Sequence, residues 1–285
     1  MLQRQRTAEV RREAEARQQA EARRQAEARR QAEARRKAEL RRKAEARRQA
    51  EAKPKLGVAS VGSSFAVSKK GHLVTNEHVV AGCQALRILH QGQAFKANVI
   101  SADSKNDLAL LRSDIQPSRV FSINRDGADL LDKIIVAGFG FGYSVSKSVK
   151  ATTGSVSSLV GKDDDTARFQ IDASMQTGNS GGPILDSEGR VVGVATEKFD
   201  EIKMIKAGES FPQLINFGVK SSILVEMLRA NGLKNYRQAR LKSNDEIRAV
   251  IKESVYLVVC YMTEKRRQKM AQKRRVFETL KFDFE

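Results

Sequence analysis

From Arg4 to Ala52 the chain contains no glycine, proline, aspartate or aromatic residue, and at Pro54 that texture stops. Nearly every position in the stretch is alanine, arginine, lysine, glutamate or glutamine, the residues that lose least on entering a helix. One regular conformation is open to such a segment, an α-helix, and Pro54, without an N–H, ends it. The unit Arg-Arg-Gln-Ala-Glu-Ala recurs with small variations from Arg23, Arg29, Arg35, Arg41 and Arg47. At about 100° per residue, a period of six turns each repeat by roughly −120°, so no apolar stripe accumulates. The composition is one associated with coiled coils, yet Val10 and Leu40 are the only large apolar residues, and no seam of period near 3.5 forms. Glutamates find basic partners one turn away, as Glu33 does in Arg29, Arg30, Arg36 and Lys37. Each exposed pair is worth about 0.2–0.5 kcal/mol. The expected object is a single solvated helix of about 70 Å over residues 1–53, followed by a linker at 54–56.

The formal net charge of +18 over 285 residues invites anionic partners. Paired arginines would attract phosphate, but the charge is spread around the helix and no aromatic ring is present to stack on bases. Specific nucleic-acid binding is therefore not expected. A helix that lies on a membrane needs an apolar face, which is absent. A spacer, a tether or a weak contact with an anionic surface remains. In composition the segment resembles the periplasm-spanning helices of envelope proteins.

From residue 57 to 232 short runs rich in valine, isoleucine, phenylalanine and threonine alternate with glycine, serine and aspartate turns, as in Lys133–Gly140 and Arg190–Thr196. Many short strands of this kind imply an all-β barrel or sandwich. Within them, Thr177-Gly178-Asn179-Ser180-Gly181-Gly182-Pro183 reads as a serine nucleophile held in its own oxyanion hole. Acyl transfer needs an activated hydroxyl and backbone N–H groups aimed at the oxygen that becomes negative. Gly178, Asn179 and Ser180 are the candidate donors. Of three histidines, His78 follows an apolar run in Leu73–Val80, whereas His72 and His90 read as a turn and a strand-end residue. Asp107 stands at the mouth of the apolar run Leu108–Leu111, where a carboxylate is partly desolvated and can fix an imidazole tautomer.

The order His78, Asp107, Ser180 is that of the chymotrypsin-like proteases. With Gly62-Ser63-Ser64-Phe65, Val74–Val80, Asn106–Leu111, Gly178–Pro183 and Asn216–Ser221, the chain resembles the HtrA (Deg) branch of the trypsin-like family over residues 57 to 232. The resemblance implies two six-stranded β-barrels, His78 and Asp107 from the first and Ser180 from the second. It also implies serine endopeptidase activity on a polypeptide substrate, without metal or cofactor. Ser174 would lie at the base of the pocket for the residue before the scissile bond, with Asn216, Phe217, Gly218 and Val219 beside it. A serine there supplies no counter-charge, so a small or apolar side chain is expected, subject to the loop Glu197–Glu201. Asn179 replaces the aspartate with which digestive relatives capture a freshly cleaved amino terminus, so activation by that route is not expected. About fifty residues follow Gly232, too few for the PDZ domain usual in that branch.

Residues 233–285 read as a small α/β extension: a capped helix at Asn244–Ile251, a strand at Ser254–Tyr261 that would add to a barrel edge, and a basic helix from Glu264 to Lys273 or beyond. Cys83 and Cys260 are either two buried thiols or a disulfide tying the tail strand to the first barrel, which would imply an oxidising compartment. No secretory leader is visible after Met1, and no run is long enough to span a membrane. The resemblance favours the bacterial envelope or periplasm, and the missing leader the cytoplasm. The sequence does not give the oligomeric state.

Overall fold

The computed structural model describes residues 2–52, 54–140, 148–198, 214–233, 240–241 and 243–272. The chain forms two compact units, Met1–Lys55 and Leu56–Glu285. The first is helix α1, uninterrupted over Leu2–Ala52. Its side chains from 17 to 46 are all exposed, Leu40 included at 60%. Glu39 and Lys43, one turn apart, pair at 2.7 Å.

The second unit contains two closed six-stranded barrels. The first uses β1 (Leu56–Ser68), β2 (His72–Thr75), β3 (Ala85–His90), β4 (Gln93–Asp103), β5 (Leu108–Ser113) and β12 (Val255–Thr263), closed in the order β1-β12-β3-β4-β5-β2. The second uses β6 (Lys133–Gly138), β7 (Lys150–Ser158), β8 (Arg168–Ile171), β9 (Pro183–Leu185), β10 (Val191–Lys198) and β11 (Asn216–Lys220), closed as β10-β11-β8-β7-β6-β9. One-turn helix α2 (Glu77–Val80) follows β2, and α3 (Ser221–Ala230) follows β11. Helix α4 (Asn244–Ser254) leads into β12, and α5 occupies 264–272.

The division expected at residue 232 does not hold. The strand of the supposed extension is a full stave of the first barrel, antiparallel to β1 from Leu56↔Thr263 to Phe65↔Val255 and to β3 from Tyr261↔Ala85 to Leu257↔Leu89. Its composition explains the placement, since it is apolar on both faces. Tyr256, Val258, Cys260 and Met262 fill the first barrel's interior with Leu73, Ile88 and Leu111. Val255, Leu257 and Val259 point the other way, into the core that joins the barrels. β5 is divided in the same manner, Ala109 and Leu111 inward and Leu108 and Leu110 toward the junction. Period-two alternation between two apolar environments gives a continuous apolar run.

The junction is sealed by two amphipathic helices. α3 contributes Leu224, Val225, Met227 and Leu228, and α4 contributes Ile247, Val250 and Ile251 at helical spacing. Ser243 caps α4, its Oγ accepting from Glu246 N at 3.3 Å, and Asp245 and Glu246 occupy the first turn, where the helix dipole favours negative charge. Cys83, just beyond α2, is joined to Cys260 of β12 by a disulfide, with Cα atoms 5.5 Å apart. That decides between the two readings of the cysteines and ties the turn after α2 to the barrel's last-formed stave.

Candidate active site

β2 buries Leu73, Val74 and Thr75 and hands the chain to α2, which holds His78 on a single turn. Asp107 precedes β5 with φ +56, a left-handed conformation that aspartate tolerates better than most residues. Asn76 Nδ2 donates to the Asp107 carbonyl at 2.8 Å, fixing the turn against the start of α2. The Asp107 carboxylate then receives His78 twice. Its Oδ1 accepts the His78 backbone N–H at 3.0 Å, and its Oδ2 lies 2.8 Å from His78 Nδ1. Oδ2 also accepts the Thr196 hydroxyl at 2.6 Å, from β10 of the other barrel. Burial alone would raise the Asp107 pKa, but the His78 side chain, the Thr196 hydroxyl and the His78 N–H outweigh it and hold the group below the usual carboxylate value. An ionised carboxylate only accepts, so the Nδ1 of His78 carries the proton.

Ser180 lies in the loop between β8 and β9. Gly178 and Gly181 have φ of +103 and +85. At Gly181 a Cβ would run into the Ser63 carbonyl and the Thr75 hydroxyl, so only glycine permits this approach. Asn179 N donates to Gln176 O at 2.9 Å and Gly182 N to Asn179 O at 2.9 Å. The Asn179 N–H is thereby spent, which removes it from the expected oxyanion donors. Among the described residues, the N–H groups of Gly178 and Ser180 have no acceptor. Asn179 is buried, and its Oδ1 has no hydrogen-bond partner among the described residues.

The residues expected around the specificity pocket divide. Ser174 is exposed, in the segment just past the end of β8. Asn216 Nδ2 donates to the Ala173 carbonyl at 2.8 Å, which bonds β11 to that same segment, and Phe217 is nearly buried beside it. Gly218 and Val219 do not belong there. A Cβ at Gly218 would strike Ile184 and the Phe169 ring inside the second barrel, and Val219 is fully buried in the junction core. The loop beginning at Glu197 carries Phe199, Asp200 and Glu201 outside the described residues, as is everything after 272.

Two residues of the site were not singled out by sequence. Thr196 binds Asp107 across 89 positions of sequence, and its neighbours in β10 carry no signal of that role. Ser63 lies in a stretch that carried the family resemblance, yet nothing in its spacing announces a contact with the Ser180 loop. His72 and His90 lie apart from the site. His72 Nδ1 is 2.6 Å from Ser68 Oγ, and the His90 ring packs edge-on against Tyr256. No group of three or more His, Cys, Asp or Glu side chains among the described residues could hold a metal ion.

Residues 62–194, most of the paired barrels, match the trypsin-like peptidase domain. Several of the solved structures it is similar to are HtrA-type proteases. A probable periplasmic serine endoprotease, DegP-like, from Chlamydia pneumoniae is 36% identical over 146 residues, 50% of this chain and 30% of that protein. The uncharacterized protein y4bJ of Sinorhizobium fredii is 38% identical over 182 residues, 63% of this chain and 29% of that protein. The HtrA-type protease AlgW, solved with a tripeptide, superposes with a TM-score of 0.51 at 28% identity, covering 61% of this chain and 58% of that one. The chain spans less than a third of the length of the first two relatives.

Proposed function

We propose that the chain is a serine endopeptidase in which Ser180 is the nucleophile, His78 the general base and Asp107 the residue that orients it. The observation that carries this reading is the carboxylate of Asp107, which bonds His78 at both Nδ1 and the backbone N–H and is itself held by Thr196. Such an arrangement leaves Nε2 able to take a hydroxyl proton. Ser180 Oγ attacks the scissile carbonyl carbon as its proton passes to Nε2, and the C–N bond then breaks as Nε2 returns the proton to the leaving amine. Water repeats the sequence on the acyl-enzyme, releasing the acid and restoring Ser180. The N–H groups of Gly178 and Ser180 are the oxyanion donors in this reading. Their lack of another acceptor among the described residues supports it.

The substrate is a polypeptide with a small or apolar residue before the scissile bond. Support comes from Ser174, which offers no counter-charge to lysine or arginine, and from Asn216 and Phe217 beside its segment. The exposed side chains of residues 17–46 in α1, charged all round the helix, support a weak contact with an anionic surface. The Cys83–Cys260 disulfide supports residence in an oxidising compartment such as the bacterial envelope. The test is labelling by a fluorophosphonate probe beside Ser180→Ala. Labelling is expected in the wild type and lost in the variant. A folded wild-type protein that takes no label would show the protease fold to be vestigial, leaving α1 as the working part.

A further inference from the structure

We infer that Ser63 is a positioning residue for the oxyanion donors, a role that rests on the peptidase reading above. Ser63 is fully buried in β1 of the first barrel, yet three of its polar atoms reach elements outside it or hold it there. Its N–H donates to the Ser180 carbonyl at 2.8 Å. Its hydroxyl donates to the Gly178 carbonyl at 2.6 Å and accepts from Phe139 N at 2.8 Å. The direction of that hydroxyl is not a matter of choice. A carbonyl can only accept and a backbone N–H can only donate, so the proton of Ser63 must point at Gly178. Thr75 Oγ1, donating to the Ser63 carbonyl at 2.7 Å, fixes the residue from its fourth side.

The consequence lies in the peptide planes of the loop. The Gly178–Asn179 peptide is held at both ends, its carbonyl by the Ser63 hydroxyl and its N–H by the Gln176 carbonyl at 2.9 Å. The peptide after Ser180 is held through its carbonyl by the Ser63 N–H. One residue of the first barrel thus pins the carbonyls of both Gly178 and Ser180, the two residues whose N–H groups are unspent. Glycine has no side chain to restrict rotation, so the φ of +103 at Gly178 needs an outside constraint. Gly138 makes room for the contact, since a Cβ there would meet Ser63 Oγ at 2.8 Å and Asn179 Cα at 3.0 Å. The barrel that carries His78 and Asp107 therefore also sets the geometry of the loop that carries Ser180.

The test compares Ser63→Ala with Ser64→Ala. Both remove one fully buried hydroxyl from the same strand, but Ser64 Oγ donates to the Tyr256 carbonyl at 3.5 Å and makes no hydrogen bond to the loop among the described residues. Both variants keep the backbone N–H. For Ser63→Ala, kcat on a peptide substrate is expected to fall about 10- to 100-fold, below the two to three decades for outright loss of one oxyanion donor. KM and the acid limb of the pH–rate profile should stay as in the wild type, because the His78–Asp107 pair is untouched. Affinity for a peptide boronate, whose tetrahedral adduct needs the oxyanion donors, should fall by a similar factor. Amide exchange of Gly178 should quicken even in the absence of substrate. Ser64→Ala should change none of these. Equal kcat and boronate affinity in Ser63→Ala and the wild type, with unaltered Gly178 exchange, would overturn the assignment. Equal losses in both variants would reduce Ser63 to a packing residue. A folded wild type that neither cleaves nor labels would refute the peptidase reading itself.

Discussion

Replacing Asp107 by asparagine separates the fold of the site from its chemistry. The carboxylate accepts three hydrogen bonds: His78 N on Oδ1, and His78 Nδ1 and Thr196 Oγ1 on Oδ2. An asparagine side chain has one arrangement that satisfies all three partners. Its oxygen takes the His78 N–H, and its NH2 donates to Nδ1 and to a Thr196 hydroxyl turned round to accept. The alternative would set the NH2 against the His78 N–H, donor against donor. The satisfied arrangement strips the proton from Nδ1 and places it on Nε2, so the imidazole can no longer take a proton from Ser180. In serine proteases of this mechanism the substitution lowers kcat by about 10⁴-fold, roughly 5.5 kcal/mol at 1.36 kcal/mol per decade. Stability should fall far less, by about 1–3 kcal/mol, because the bonds persist and only their charge assistance is lost. The assay is the second-order rate of fluorophosphonate labelling, with peptide hydrolysis and thermal unfolding in parallel. A folded Asp107→Asn protein that labels within tenfold of the wild type would refute the tautomer argument.

Two further outcomes follow from the same structure. The Cys83–Cys260 disulfide closes a loop of 177 positions, and Cys83→Ser, Cys260→Ser or reduction should cost about 2–5 kcal/mol, read as a Tm lower by roughly 10 °C in calorimetry; an unchanged Tm would mean the thiols are not bonded in the folded protein. The pKa values of His72 and His90 are both lowered, each first by burial; Arg112 and Lys70 add to the effect at His72, and Glu253 opposes it at His90. The unfolded chain therefore binds more protons near pH 6, so the stabilisation is complete above about 6.5 and is lost as pH falls through the depressed folded values. The slope is at most about 1.4 kcal/mol per pH unit for each ring, less here because both are half exposed, and urea midpoints at pH 7.5 and 5.5 should converge in the His72→Asn/His90→Asn double variant.

The parts of this molecule legible in its sequence are those whose chemistry is local. The turn that sets Asp107 against His78 lies in short contiguous apolar runs, the Ser180 loop carries its own glycines, and α1 declares itself by composition. Contacts made across the junction were not legible. Thr196 is one threonine in an ordinary strand until β10 is laid beside the turn at Asp107. The sequence of β11 alone does not say which face meets α3 and which the barrel interior, so the surroundings of Gly218 and Val219 come only from the pairing of Phe217 with Gln170 and Thr196. A strand apolar on both faces, as β12 is, looks the same in sequence whether one or two neighbours flank it. Only its bonding to both β1 and β3 distinguishes the cases. The cysteine pairing is illegible for a related reason: a sequence separation of 177 carries no information about a 5.5 Å approach.

The position of β12 has a consequence for the order in which the molecule is made. β1 pairs with β12 from Leu56↔Thr263, so more than two hundred residues must leave the ribosome before the first barrel can close. The second barrel is complete once residue 220 has emerged. At synthesis rates of about 5–20 residues per second, the interval between residue 220 and residue 263 lasts some seconds, long compared with hairpin formation. Throughout it, β1 and β3 face each other across a missing stave, so the framework that carries His78 and Asp107 stays open while the Ser180 loop already has its own barrel. The architecture thus puts the two halves of the site on different clocks: the barrel of the Ser180 loop can close before the barrel of His78 and Asp107 does.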